Sequence, residues 1–326
     1  IQLVLALLAA KSGNIDEARD RFARILEIDP LDVLALKGFG DILVREGKPD
    51  KALDQYRAAY SVLEEKQQYE AMIGIQESVL SLKPDDIGEK IRLAEIYELL
   101  GDEIKLNVCL SETAQMLLKK GEKERAYSTI RKFLDRNPRM DNIRRTLFNL
   151  SLEQGDKDLA ASEGVRLARH CLERRDFENG ELIIDYVLKF APRNVYGLME
   201  RDRIYFEKGD SAGGLQGLKE SVNILKEEEN FFLLKRHLRD MQKYIPDNAG
   251  IHETLGALYA KEGAFDEAVD EYNIACTLFS ETGNTQGAEQ CSNVIEKLQS
   301  RETEKKTPDD ISAYISEVFD AYDKSS

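Results

Sequence analysis

The sequence predicts an all-α chain, an α-solenoid of about 17 helices followed by one further C-terminal helix. Three observations predict it. Pro30, Pro84, Pro138, Pro192 and Pro246, five of the seven prolines, recur every 54 residues. Cut at those prolines, the chain falls into 31–84, 85–138, 139–192, 193–246 and 247–300, where Ser300 stands in for the last proline. The seventeenth residue of every interval is glycine (Gly47, Gly101, Gly155, Gly209, Gly263) and the twelfth is aliphatic (Ile42, Ile96, Leu150, Ile204, Leu258). A fixed period of this length is the mark of stacked helical repeats, and it overrides the estimate of about two domains that 326 residues would give.

Each repeat reads as three helices. Helix A, of about 14 residues, ends at the constant glycine, because a helix C-terminus favours a residue that tolerates the left-handed conformation. Helix B, of about 17 residues, ends at a weaker break twenty positions later, at Gly13, Gln67, Gly121, Arg175, Glu229 and Gly283. Helix C, again of about 14, ends at the proline, which has no N–H to continue a helix and biases its predecessor away from helical angles. Two residues after the proline, Asp32, Asp86, Asn194 and Asn248 are suited to cap the next helix A. No proline lies in the interior of a B helix, so B is expected to be continuous, about 25 Å long at 1.5 Å per residue.

Within these helices the residues resemble the tetratricopeptide repeat, whose pattern is W-x2-L-G-x2-Y, then A-x3-F, then P. Repeat five carries "HETLGALY", with His252 at the tryptophan position followed by Leu255, Gly256 and Tyr259, and then Ala268-x3-Tyr272. Repeat two has Leu93, Ala94 and Tyr97; Ala18-x3-Phe22 runs to Pro30 and Ala126-x3-Ile130 to Pro138. The resemblance covers roughly residues 1–300 and implies a right-handed superhelix. Small residues at the A–B crossing are expected to let two backbones approach. The family unit has two helices in 34 residues; the unit here has one helix more, and helix B carries both half-signatures, Ala52-x3-Tyr56 closing one repeat while Tyr56 to Leu63 opens the next. In this register "IQLVLALLAA" is the end of a B helix rather than a signal segment, and Ile1 is expected to lie inside a longer protein.

Site chemistry is sparse. His170 and Cys171 fall in columns that are otherwise largely aliphatic, His237 in a mixed one, and none of the three histidines has ligand partners at metal spacing. The four cysteines form no CxxC pair, which favours a reducing cytoplasm. "GDSAGGLQG" lacks a phosphate-cradling pattern, and no nucleophile constellation is present. The expectation is no enzyme, no cofactor and no metal. No run reaches membrane-span length, and a net charge of −15 argues against a nucleic-acid partner.

Charge is uneven. Residues 119–175 hold 15 Lys and Arg against 9 Asp and Glu, a net of +6, which leaves −21 for the rest and suits an acidic peptide or partner face. The resemblance implies that A helices line a groove for extended peptides or partner loops. By position its residues would be Lys37, Asp41 and Arg45; Glu95; Arg145 and Asn149; Met199 and Arg203. Past the array (1–300), 301–308 reads as a charged linker and 309–326 as an amphipathic capping helix, with Ile311, Tyr314, Ile315, Val318, Phe319 and Tyr322 on one face. The function expected is that of an interaction scaffold or adaptor. The alternative is an interaction or regulatory module of a larger enzyme, sensor, secretion or motility protein, for example a small-GTPase effector.

Overall fold

The computed structural model describes residues 1–303; residues 301–303 of the expected linker are helical, while the rest of it (304–308) and the expected capping helix (309–326) lie outside the described residues. Seventeen α-helices and no strands occur among those described. Helices α1 (Gln2–Lys11) and α2 (Ile15–Ile28) are the B and C helices of a partial repeat. Repeat one is α3 (Val33–Arg45), α4 (Pro49–Glu65) and α5 (Tyr69–Leu82); repeat two is α6 (Ile87–Leu99), α7 (Glu103–Lys119) and α8 (Lys123–Arg136). Repeat three is α9 (Asp141–Glu153), α10 (Lys157–Glu173) and α11 (Phe177–Phe190); repeat four is α12 (Val195–Lys208), α13 (Ser211–Glu227) and α14 (Phe231–Met241). Repeat five is α15 (Ala249–Glu262), α16 (Phe265–Glu281) and α17 (Thr285–Thr303), the last running past the repeat boundary at residue 300. B is unbroken in all five repeats and spans 17 residues each time.

Local chemistry explains these limits. The side chains of Asp32, Asp86, Asn194 and Asn248 each accept the backbone N–H three residues on, capping α3, α6, α12 and α15. All five A–B glycines have positive φ, from +69° at Gly101 to +88° at Gly209. The B–C break is left-handed too, including where it is not glycine: Gln67 (+54°), Arg175 (+59°) and Glu229 (+53°).

The chain forms two compact units, Ile1–Glu163 and a second beginning at Gly164. In the first, each helix from α1 to α8 packs on the next, and α1 also meets α3 while α7 meets α9. The helices therefore alternate between two layers, odd-numbered and even-numbered. Its cores centre on Phe22 and Ile42, on Tyr56, Leu63 and Ile75, and on Leu110, Tyr127 and Phe133. The second unit packs Leu225, Leu234, Leu255, Leu258, Tyr272 and Leu298 into one core. The small residues act as expected. A Cβ on Gly40 would lie 2.6 Å from the Tyr56 ring, and one on Gly256 would lie 2.8 Å from the Tyr272 ring, so each tyrosine rests directly on the backbone of the facing A helix. His170 is only half-buried, so its column is less of a core column than its aliphatic members imply, whereas Cys171 is buried.

Candidate functional site

In the first unit, α4 and α6 stand in the same layer with α5 beneath, and an open cleft of ≈ 420 Å³ separates them. Tyr56, Arg57, Tyr60 and Glu64 line it from α4, Gln76 and Val79 from α5, and Glu89, Arg92 and Glu95 from α6. The floor is fixed by a buried polar contact: Gln76 Nε2 donates to Glu89 Oε2 and to the Glu89 carbonyl, both at 2.9 Å. Arg92 then donates to both Glu89 carboxylate oxygens at 3.1 Å, so the Glu89 charge is matched at the rim. On the wall, the Tyr56 hydroxyl donates to Asp41 at 2.7 Å, and Asp41 pairs with Lys37 at 2.9 Å. Burial pushes the half-buried Tyr60 hydroxyl above its ordinary pKa, with Glu64 adding to the shift. The lining thus combines two tyrosines with both signs of charge, and Glu64, Glu95 and Arg57 are exposed.

Within the first unit the predicted groove residues do not gather on one face. An odd number of helices per repeat moves helix A from one layer to the other at each repeat, so within the first unit α3 and α9 share a layer that α6 does not. Lys37 and Asp41 are engaged with each other, and the exposed Arg45 donates to the carbonyl of Ala10 at 2.7 Å, closing the end of α1. Arg145 and Asn149 are exposed on α9, one turn apart. In the second unit Met199 packs against the core, and Arg203 is half-buried with its guanidinium 3.9 Å from Glu200. Of the eight, only Glu95 lines the cleft.

Sequence reasoning missed the polar groups that break an apolar or small-residue column. Gln76 occupies the column of Phe22, Ile130, Ile184, Leu238 and Ser292, apolar at four of those five, and Asp202 that of Gly40, Ala94, Phe148 and Gly256. Asp202 is buried; its Oδ2 accepts from Ser221 Oγ at 2.6 Å and lies 3.0 Å from His237 Nε2. Room for it comes from Gly217, where a Cβ would lie 2.3 Å from Asp202 Oδ1. Ser, His and Asp therefore meet, but Ser221 and Asp202 both sit on His237 Nε2, whereas a nucleophile relay needs them on opposite ring nitrogens.

The sixth position of the repeat, in helix A, holds a second surprise. In repeat three, buried Arg144 donates through Nη1 to buried Glu163 and through Nη2 to the carbonyl of Pro138 at 2.9 Å. In repeat five, His252 places Nδ1 2.7 Å from Glu271 and Nε2 2.9 Å from the carbonyl of Pro246. A basic group thus fastens the proline corner to helix B where the family pattern has tryptophan. Arg144 was counted as part of the basic middle, yet it is buried. Arg136 and Arg169 are likewise bound, to Glu98 and Glu200, both outside 119–175.

The tetratricopeptide repeat family model matches residues 3–70. Over those residues the chain reads as tetratricopeptide repeat. The matched stretch spans α1 to α4, a B–C pair followed by an A–B pair, so helix B stands first in one pair and second in the next. No curated protein matches the chain. Among solved structures it is similar to the TPR domain of P58(IPK), at 13% identity over 93% of this chain and 98% of that one, with a TM-score of 0.22. It is also similar to a Rap protein complexed with competence and sporulation factor (11% identity, 94% and 98% covered, TM-score 0.34). A third is the yeast Sti1 TPR2AB domain in its pHSP90 complex (14% identity, 91% and 97% covered, TM-score 0.26). Among the described residues no helix is long and apolar enough to cross a membrane.

Proposed function

We propose that this chain is a protein-interaction scaffold or adaptor, working by binding and not by chemistry of its own, and that the cleft over α5 receives a side chain of the partner segment. The observation that carries this reading is the cleft itself, an open ≈ 420 Å³ space with a rigid polar floor and two tyrosines in its wall. Tyrosine supplies large contact area at low entropic cost, and charges of both signs set orientation. The geometry at His237 supports binding over catalysis. A cytoplasmic setting belongs to the same proposal and rests on the four cysteines, which form no CxxC pair and no disulfide-framework spacing in the sequence.

A second reading places an acidic partner on the basic middle, where Lys119, Lys120, Arg131, Lys132 and Arg145 are exposed in the first unit. One experiment separates the two. The intact protein is used for affinity capture, and the captured protein is purified and titrated against wild type, against Tyr60→Ala/Glu95→Lys, and against Arg131→Glu/Arg145→Glu. The cleft variant should weaken binding about tenfold or more, about 1.4 kcal/mol, with the charge reversal changing it less. The opposite order would move the site to the basic face, and no change in either variant would reject both.

A further inference from the structure

The corner clamps of repeats three and five differ in one property, and that difference has a consequence. Arg144 and His252 hold equivalent positions and equivalent partners, a glutamate on helix B and a proline carbonyl. Arginine stays charged at all accessible pH, whereas imidazole ordinarily titrates between pH 5 and 8.

Hydrogen counting fixes the state of the His252 clamp. The Pro246 carbonyl can only accept, so Nε2 must carry the proton it donates there at 2.9 Å. Nδ1 then faces Glu271 Oε2 at 2.7 Å, and two lone pairs at that distance repel, so a second proton must lie between them. The clamp as built therefore holds one proton more than a neutral imidazole beside an ionised glutamate. A substitute partner already stands beside it. Gln242, at the C-terminus of α14, places its amide Nε2 3.4 Å from the same Nδ1 and can donate once that nitrogen is bare.

We propose that His252 is a proton-operated latch: protonated, it ties α15 to Glu271 of α16; deprotonated, it passes Nδ1 to Gln242 of α14 and releases Glu271. The sign follows from the proton count. The α15–α16 tie is present at low pH and lost as pH rises through the titration of the pair. Glu271 is the charged side chain that touches His252 among the described residues; α14 and the corner offer the neutral Gln242 amide and Pro246 carbonyl. The other charges on these elements are engaged or directed elsewhere. On α14, Lys235 pairs with Glu262, and Arg239 lies over the Tyr259 ring. Lys243 pairs with Asp240, while Asp247, Asp266, Glu267 and Asp270 are exposed. On α15 itself, Glu253 is held above its usual range by burial, with Lys226 of α13 opposing that shift.

The test uses the full chain with nitrogen-15 labelled histidine, the His252 signals being assigned by their loss in His252→Arg. At pH 6 both ring nitrogens should be protonated; by pH 8 Nδ1 alone should lose its proton. Amide exchange around Glu271, corrected for intrinsic rates, should then quicken about tenfold as the tie is lost. His252→Arg, which copies repeat three, should remove that acceleration. So should Glu271→Gln, because a carboxamide can accept from Nδ1–H or donate to bare Nδ1 and so serves both states. A His252 ring with a single proton already at pH 6 would overturn the proposal. So would an exchange profile whose pH dependence survives in both variants.

Discussion

The A–B and B–C turns share one backbone and differ in sequence. At the A–B turn of repeat one the Gly47 N–H donates to Val44 O and the Lys48 N–H to Leu43 O; at the B–C turn of the same repeat Gln67 and Gln68 do the same to Glu64 and Leu63. The pattern recurs in repeat four at Gly209 and Asp210 and at Glu229 and Asn230. Every turn residue is left-handed, yet A–B uses glycine five times in five, while B–C uses Gln67, Arg175 and Glu229 in three of six. The reversal is thus dictated by the spacing of the helices it joins, and glycine only lowers its cost. Close ring approaches occur on the A–B pairs, Tyr56 on Gly40 and Tyr272 on Gly256, but also across the proline corner, where the Phe22 ring of α2 would lie 2.3 Å from a Cβ on Gly38 of α3.

The largest effect that would break this comparison lies at the crossing. Gly256→Val forces branched atoms into a space where even a Cβ would lie 2.8 Å from the Tyr272 ring, and the expected loss is about 2–3 kcal/mol by urea denaturation. Gly74→Ala, in helix C with nothing within 4 Å of the new Cβ, should instead stabilise by about 0.5–1 kcal/mol. Similar losses at both sites would mean that glycine marks helix geometry in general and not close approach.

The turns and crossings were legible in the sequence because proline, glycine and capping residues act locally, and a period repeats the evidence five times. The fasteners were not legible. Arg144 and Glu163 are 19 residues apart and look like ordinary surface charges, and His252 looks like a worn tryptophan position; only the fold brings each beside a proline carbonyl. The cleft was half legible. Glu95 was reached by family position, but Tyr60 and Arg92 come from helices whose shared layer depends on the odd count of helices per repeat. Gln76, polar in a largely apolar column, was the available signal.

An intermediate effect is expected at the A–B turns themselves. Gly47→Ala and Gly263→Ala keep open space around the new methyl group but hold an L-residue at φ +73° and +79°. Each should cost about 1–2 kcal/mol, the left-handed penalty for one residue. A loss near zero would show that the turn relaxes to another conformation and that the likeness of the two turns is accidental.

The smallest effect runs the other way and tests the comparison most directly. Gln67, Arg175 and Glu229 are exposed, so replacing each by glycine removes little packing. Glycine relieves the left-handed strain, about 1–2 kcal/mol, and gives back about 0.5–1 kcal/mol through the greater freedom of the unfolded chain. The net expectation is a gain of about 0.5–1 kcal/mol per site. The three sites lie far apart in sequence, so their gains should add. Gln67→Gly should act on the first compact unit, and Arg175→Gly with Glu229→Gly on the second. Hydrogen exchange resolved by unit can read the gains separately. If all three substitutions instead destabilise, the B–C turn depends on its side chains, and the two turns are alike in backbone alone.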